Sequence, residues 1–282
     1  MKQLIVTADD FGLTKSLNEG IAKAYKDGIV TFLSLMPTGE AFEDALTLAR
    51  NLKLKEIGAH LSLTETKPLS DPSTVPSLIT RDNKFHKNHN KFLIKFLLKT
   101  LKREHIYIEL KNQLDELKKI GLQITNLSSP EHIHMLPEML DIFVRLAKEY
   151  DIPTIRYPHK DTVLQKFDIN RHYRYLVLSY FDKGIESILK NSGTRHADHF
   201  LGFLYSGRLR EDTLIDMLKS LNDGTTELVC HPGFLGPEIL DRYRFHANCE
   251  EELSALTSQR VKNLIRDEGI KLTTYSEFLL RP

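Results

Sequence analysis

The stretch Leu4-Ile5-Val6-Thr7-Ala8-Asp9-Asp10-Phe11-Gly12 joins an apolar, strand-like run to two adjacent acids and a turn. Burying two neighbouring carboxylates costs free energy unless a cation or a shared proton compensates their charge. A doublet at a strand end therefore indicates metal ligation together with acid/base chemistry. The alternative is an aspartate that caps a helix from Leu13 to Gly28, because Asp is a favoured residue at helix N-termini.

Three further segments carry histidine where an apolar run ends. They are residues 56–63 with His60, residues 129–137 with His132 and His134, and residues 226–233 with His231. A single histidine in any of these segments is more often a hydrogen-bonded core or loop residue than a ligand. Four polar strand ends in one chain instead predict one shared site.

Short apolar or β-branched runs alternate with helical patterns, which is typical of a parallel sheet with crossover helices. The predicted strands are residues 3–8, 30–36, 56–62, 123–128, 153–157, 198–203, 226–231 and 270–274. The predicted helices are residues 16–27, 40–51, 90–119, 137–149, 178–190, 209–221, 251–266 and 276–280. This alternation favours the α/β class and a single domain over residues 1–282, a distorted TIM-like (β/α) barrel.

In such a barrel the reactive side chains stand at the carboxyl ends of the strands. The residues at or just beyond a predicted strand end are Asp9, Asp10, His60, His132, Arg156 and His231. The planar fork of Arg156 could orient Asp9, and a surface ion pair is the alternative. An open doubly wound sheet would also gather loops at one edge, but residues 10–14 lack the glycine-rich phosphate turn of nucleotide binders.

The charge balance gives no general reason to expect nucleic acid or an anionic membrane as a partner, because 39 basic residues face 38 acidic ones. Only two cysteines occur, Cys230 and Cys249, which argues against a disulfide framework and suits a reducing compartment. The first residues resemble a strand and not a signal peptide, so we expect a cytoplasmic protein. The most apolar helix-like stretch, residues 92–101, is too short to span a bilayer, which takes roughly 20 residues.

Two segments outside the predicted barrel bear on substrate and partner. Residues 64–90 contain three prolines and little periodicity, which predicts an ordered flap over the barrel mouth that shapes substrate selection. The helix-like stretch from Phe92 to Ile120 has apolar residues on several faces. We expect a homodimer that covers part of this stretch, and packing on the flap is the alternative.

Four motifs, in their order along the chain, resemble those of the YdjC-like deacetylase family, which includes chitooligosaccharide and hopanoid-synthesis deacetylases. The motifs are residues 7–12, 58–63, 132–137 and 227–233, and the resemblance covers nearly the whole chain. It implies a distorted barrel that is related to polysaccharide deacetylases. The implied activity is hydrolysis of the N-acetyl group of an amino sugar or oligosaccharide with one divalent metal ion, Mg or Zn.

The resemblance also implies roles for single residues. Asp10 and His60 would be metal ligands, and Asp9 would be the base that takes the proton of the attacking water. His231 would protonate the departing amine or stabilise the oxyanion, although a histidine that only holds a His-Pro-Gly turn is the alternative. Such a site suits amide hydrolysis, because a metal polarises the carbonyl and lowers the pKa of a water.

One position departs from the family pattern. The family's third ligand is a histidine four residues before the last histidine of the third motif, and that position is Pro130 here. The family's aspartate two positions earlier is Ser128. Positions 130 and 132 lie on one face if the segment is a strand, so we favour His132 as the substitute metal ligand. Glu131 could supply an oxygen if Pro130 breaks the strand.

Two further functions stay open at this point. A chain without a third ligand could keep the sugar pocket and lose hydrolysis, and metal content and deacetylase activity would distinguish it from the enzyme. A barrel that hydrolyses phosphoesters or other amides is the second alternative. It would need more ligands or a basic pocket, for which Arg208 and Arg210 are the nearby candidates.

Overall fold

The computed structural model describes residues 1–86, 89–159 and 184–280. Within these ranges the strands form one parallel sheet. The strands are β1 (Lys2–Phe11), β2 (Phe32–Leu35), β3 (Glu56–His60), β4 (Gln123–Ser128), β5 (Thr154–Ile155), β6 (His199–Leu201), β7 (Gly224–Cys230) and β8 (Lys271–Leu272). All eight predicted strands are confirmed, with ends that differ by a few residues.

Helices follow the strands along the chain. They are α1 (Lys15–Asp27), α2 (Phe42–Asn51), α3 (His89–Leu97), α4 (Arg103–Lys118), α5 (Pro137–Glu149), α6 (residues 184–192), α7 (Glu211–Lys219), α8 (Pro237–Asp241), α9 (Cys249–Thr257), α10 (Gln259–Asp267) and α11 (Tyr275–Leu279). Short 3-10 helices occur at Pro130–Met135 and Arg244–His246. The first part of the helix predicted over residues 178–190 lies outside the described residues.

The sheet curls into a distorted barrel. Its strand order is β5-β4-β3-β2-β1-β7-β6, and β8 pairs with β1. β5 and β6 are the two edges of this order, and the chain just before β6 connects them. Arg195 forms a parallel bridge with Thr154 of β5, and β6 itself pairs with β7. This arrangement confirms the predicted α/β barrel class.

The central strand β1 is buried from Leu4 to Phe11. A parallel strand that is covered on both faces reads as a nearly continuous apolar run, as residues 4–8 do. The next helix, α1, is capped by Thr14, whose hydroxyl accepts the N–H of Leu17 at 3.2 Å. The alternative of an aspartate cap is therefore wrong, and the two carboxylates make other contacts.

Two predicted helices are divided. The helix predicted over residues 90–119 is interrupted between α3 and α4, where Lys99 has a φ of +54°. The helix predicted over residues 251–266 is interrupted at Ser258, whose extended backbone ends α9 and whose hydroxyl accepts the N–H of Arg260 at 3.1 Å. Apolar residues recur at helical spacing on both sides of each break, so periodicity alone does not reveal it.

The segment after β4 is not a strand. Residues Pro130–Met135 form a kinked 3-10 helix in which Glu131 and His132 have φ values of +55° and +54°. The prediction that positions 130 and 132 lie on one face of a strand is therefore wrong. Glu131, the alternative oxygen donor, is exposed.

The flap is ordered and anchored to α4. The carboxylate of the buried Glu109 accepts the backbone N–H groups of Leu69 and Ser70, each at 3.0 Å. Val75 and Phe85 are also buried. The described part of the flap, residues 64–86, is therefore packed onto the domain.

Two further expectations bear on the compartment and the membrane. Cys230 is buried in β7 as predicted, and both it and Cys249 are free thiols. Across residues 1–86, 89–159 and 184–280, we find no helix with the length and apolar character that a membrane crossing requires.

Because the strands are parallel, the carboxyl ends of β1, β3, β4 and β7 meet at one edge of the sheet, where the polar residues collect.

Candidate active site

Asp9 and Asp10 both face the ring of His60, the last residue of β3. The Oδ1 of Asp9 is 3.8 Å from Nδ1 of His60, and the Oδ1 of Asp10 is 3.3 Å from its Nε2. Successive residues of a regular strand point to opposite faces. Here Asp10 has a φ of +61°, and the pairing of β1 with β2 shifts register between Ala8 and Phe11. This irregularity turns both buried carboxylates toward one site.

Asp9 is held by Arg156, which follows β5. The two terminal nitrogens of Arg156 donate to Asp9 at 2.6 and 2.8 Å, and its Nε donates to Glu227 at 3.0 Å. Burial raises the pKa of Asp9, but the Arg156 guanidinium, together with His60 and His231, outweighs burial and lowers the pKa below its usual value. Since Arg156 is fully buried, the alternative of a surface ion pair is wrong.

Asp10 lies between two imidazoles. The Nε2 of His60 is 3.3 Å from its Oδ1, and the Nε2 of His246 is 3.3 Å from its Oδ2. Burial raises the pKa of Asp10, but the contacts with His246 and His60 outweigh burial and lower the pKa well below its usual value. On the other side of the His60 ring, the Ser128 hydroxyl lies 2.8 Å from Nδ1 and fixes the ring.

His231 follows β7 and is held by Glu252 of α9. Its backbone N–H donates to Glu252 at 2.6 Å, and its Nδ1 lies 3.5 Å from the hydroxyl of Ser206. Phe245 contacts the imidazole edge-on, with ring centroids 5.0 Å apart. Burial lowers the pKa of His231 to about 4 and raises the pKa of Glu252 to about 7. At pH 7 the His231 imidazole is therefore neutral and must take up a proton before it can donate one.

His132 and His134 differ in what their ring nitrogens contact. In His134, Nδ1 lies 2.7 Å from the Ser129 hydroxyl and Nε2 lies 3.0 Å from the carbonyl oxygen of Arg156. Both nitrogens have partners, so His134 fixes the chain around the site. His132 packs edge-on against Phe200, with ring centroids 5.6 Å apart. Its buried Nδ1 has no hydrogen-bond partner in the part of the chain that the structure describes. The role of His132 as a metal ligand stays a prediction.

The chemistry of these donors fits a divalent cation. Carboxylate oxygens and imidazole nitrogens are zinc ligands, and carboxylates also bind magnesium. Among the described residues, the buried Nδ1 atoms of His132 and His246 have no hydrogen-bond partner, so neither ring is held by a complete structural network there. In the described residues, no three His, Cys, Asp or Glu side chains have the geometry of a formed metal site. Binding would therefore require the side chains around Asp10 to close on the ion.

The mouth of the site carries an exposed aromatic ring and the flap. Phe245 is 47% exposed, although its ring also contacts His231. The pKa of Glu65 in the flap is raised, first by partial burial and then by the charges of Asp10 and Glu131. The flap therefore borders the acidic centre, where it can contact a bound substrate.

Three residues of the site lie outside the predicted set. His246 belongs to a loop after β7 and not to a strand end, so no strand pattern identifies it. Glu227 lies inside an apolar strand, where an acid is unusual and could have been noticed. Glu252 shares the buried face of α9 with Leu253 and Leu256, and helical spacing could have placed it there.

The chain is similar to known proteins over nearly its whole length. The sequence profile described as YdjC-like protein matches residues 3–267. A carbohydrate deacetylase of Brevibacillus brevis is 32% identical over 98% of this chain and 99% of its own length. A carbohydrate deacetylase of Thermoanaerobacter pseudethanolicus is 31% identical with the same coverage.

A solved structure is similar over the same extent. It is a protein of Enterococcus faecalis V583 that is provisionally described as a cellobiose-phosphate cleavage protein. The two chains superpose with a TM-score of 0.80 at 27% identity, over 98% of each chain. The barrel, and not only its motifs, is therefore shared with a structurally characterised relative.

Proposed function

The chain belongs to the YdjC-like protein family, and from that membership we propose that it is a hydrolase that removes the N-acetyl group from an amino sugar or oligosaccharide. One observation carries the proposal: two adjacent buried carboxylates face one imidazole at the carboxyl end of the sheet. The relatives named carbohydrate deacetylase support a sugar as the substrate.

We propose that hydrolysis depends on one divalent ion, Mg or Zn, which Asp10 and His60 would hold. When bound, such an ion polarises the amide carbonyl and lowers the pKa of a water, to about 7 in the case of zinc. The Ser128 hydroxyl fixes the ring of His60. An oriented imidazole keeps its other nitrogen directed at Asp10, as a ligand requires.

Asp9 is the residue that we assign to take the proton of the attacking water. Its two oxygens accept from Arg156, which fixes the plane of the carboxylate beside His60. A general base must lie within hydrogen-bond reach of the proton that it accepts, so this fixed position is what the reaction needs. Arg156 is therefore a positioning residue for Asp9.

His231 is the residue that we assign to protonate the departing amine. It lies at the end of β7, the neighbour of β1 in the sheet, and its backbone is fixed by Glu252. The His231 imidazole is neutral, so it can accept the proton that Asp9 has taken from the attacking water and transfer it to the nitrogen of the broken amide bond. Phe245 covers the ring and leaves an exposed face on which a sugar could stack.

A second candidate is a protein that binds the sugar without hydrolysing it. The observation in its favour is Pro130, which occupies the ligand position of the family pattern and has no side-chain donor. Under this alternative the pocket binds N-acetylated sugars, but neither metal nor acetate release is found.

The test is acetate release from N-acetylglucosamine oligomers by the chain purified without chelator, with metal content measured on the same sample. Asp10→Ala is the comparison variant. Bound metal and acetate release that are both lost in Asp10→Ala support hydrolysis, whereas sugar binding without either favours the second candidate. The description of the Enterococcus relative suggests a phosphate ester of an N-acetylated disaccharide as a further member of the substrate panel.

The place of action belongs to the same proposal. We propose a cytoplasmic enzyme, which the two buried free thiols support. Cell fractionation with antibody detection tests this location. Recovery of the chain mainly outside the cytoplasmic fraction would contradict it.

A further inference from the structure

Two imidazoles contact Asp10, and only His60 lies at a strand end. The other, His246, lies in the 3-10 turn Arg244–His246, is buried, and places its Nε2 3.3 Å from Oδ2 of Asp10. We propose that His246 is the third protein ligand of the divalent ion, together with Asp10 and His60. This inference rests on the proposed function, because it completes the ligand set of the same ion.

Each imidazole lies slightly farther from Asp10 than an ordinary hydrogen bond, at a distance that is compatible with two ligands of one ion. N–H···O hydrogen bonds are about 2.7–3.2 Å long, whereas both imidazole nitrogens lie 3.3 Å from an oxygen of Asp10. Two ligands that each lie about 2.1 Å from zinc are roughly 3.0–3.4 Å apart when the angle at the metal is about 90–109°. Both contacts of Asp10 fall within that range, one at each carboxylate oxygen, so small side-chain movements would bring the three residues onto one ion.

The charge around Asp10 also favours a cation. Asp9 and Glu227 both contact the Arg156 guanidinium, and Asp10 lies next to Asp9. Asp9 and Glu227 therefore share one guanidinium, whereas Asp10 faces two imidazoles. Uncompensated buried charge is costly. A divalent ion between Asp10 and the two imidazoles would offset the excess negative charge.

The rival ligand, His132, has a different environment. Within the described part of the chain, the ion pairs of Asp9 and Asp10 involve Arg156, His60 and His246, and not His132. The His132 ring instead packs against aromatic rings on the side of β6. Under this proposal a histidine from the loop after β7, in place of His132, would compensate for the missing donor at Pro130.

The experiment measures metal affinity and coordination without reference to turnover. The full chain is stripped of metal and titrated with Co²⁺ and with Zn²⁺, and the visible absorption of bound Co²⁺ reports its ligands. The variants are His246→Gln and the rival His132→Gln. His199→Gln is the control, because the ring of His199 contacts the backbone of Asp223 away from the site.

We expect His246→Gln to weaken Co²⁺ binding at least 100-fold, more than the typical 10–100-fold loss for a residue that only supports a ligand. His132→Gln and His199→Gln should bind within about threefold of the unmodified chain. Metal loss in His132→Gln with normal binding in His246→Gln would overturn the inference and leave the proposed metal dependence intact. A stripped chain that binds neither ion would overturn both.

Folding of the variants is checked by circular dichroism. If His246→Gln does not fold, His246→Asp replaces it, because aspartate can supply a ligand oxygen. In that variant we expect retained Co²⁺ binding with a changed absorption spectrum. An unchanged spectrum would show that position 246 does not touch the ion and would overturn the inference.

Discussion

Both terminal nitrogens of Arg156 donate hydrogen bonds to the carboxylate of Asp9, at 2.6 and 2.8 Å, and both residues are buried. Arg156 follows β5 and Asp9 belongs to β1, and three other strands separate β5 from β1 in the sheet. The pair therefore crosses the interior of the barrel. The third nitrogen of the same guanidinium binds Glu227 of β7, so one side chain connects three parts of the sheet at the site.

Arg156→Lys tests that connection. A single ammonium cannot reproduce two parallel bonds to Asp9 and a third to Glu227, so a buried carboxylate loses a partner. Breaking a buried pair typically costs about 3–5 kcal/mol in the free energy of unfolding, and we expect a loss at the lower end because the charge is kept. Urea denaturation measures it. The control is Arg145→Lys on the surface of α5, which should change stability by less than about 0.5 kcal/mol.

Substitutions of Asp9 and of Asp10 should affect metal binding and acetate release differently. Asp10→Asn removes a charged ligand, so we expect loss of both metal and acetate release. Asp9→Asn keeps the side-chain size and leaves Asp10, His60 and His246 in place, so metal binding should persist. Acetate release should fall by about 10²–10⁴-fold, the usual contribution of a general base. Loss of metal in Asp9→Asn would contradict these separate roles.

The sheet could be predicted from the sequence because its strands are compact apolar runs, each followed by polar residues. Residues 4–8 and 226–231 show this best, and both became central strands. The ends of the helices were harder to predict from the sequence. The break at Lys99 depends on a left-handed backbone conformation, and the break at Ser258 depends on a side-chain cap. Neither feature changes the apolar period that the prediction used.

The site was predicted only where its residues end strands. Asp9, Asp10 and His60 do so, and the structure brings these three together. His246 reaches Asp10 from a loop whose path depends on tertiary packing, and nothing in its local sequence marks it. The segment after β4 failed for a related reason: the left-handed conformation of His132 cannot be inferred from strand alternation.

Glu252 should give the protein a measurable dependence of stability on pH. Burial raises its pKa from 4.5 to about 7 in the folded protein, so between these values the folded state holds a proton that the unfolded chain has released. The free energy of unfolding therefore falls as pH rises from about 4.5 to 7, by about 3 kcal/mol from this group alone. Urea denaturation at pH 5, 6 and 7 measures the slope.

Glu252→Gln cannot ionise, so its stability should fall less across the same pH range. Its free energy of unfolding at a single pH should also be lower, because the amide group replaces one of the two oxygens that accept the N–H groups of His231 and Leu209. Glu251→Gln is the matched control on the same helix, where the carboxylate is exposed and pairs with Arg210. Equal slopes in the unmodified chain and in Glu252→Gln would contradict the assignment.

The predicted homodimer has a candidate contact at the end of α3. Ile94, Leu97 and Leu98 are 56%, 67% and 69% exposed, and their spacing places them on one face of the helix. Exposed apolar clusters of this kind are typical of association surfaces. We expect a dimer by multi-angle light scattering at micromolar concentration, and a monomer in the double variant Ile94→Glu, Leu98→Glu. Leu280→Glu, at another exposed leucine, should remain dimeric, and a monomeric unmodified chain would refute the prediction.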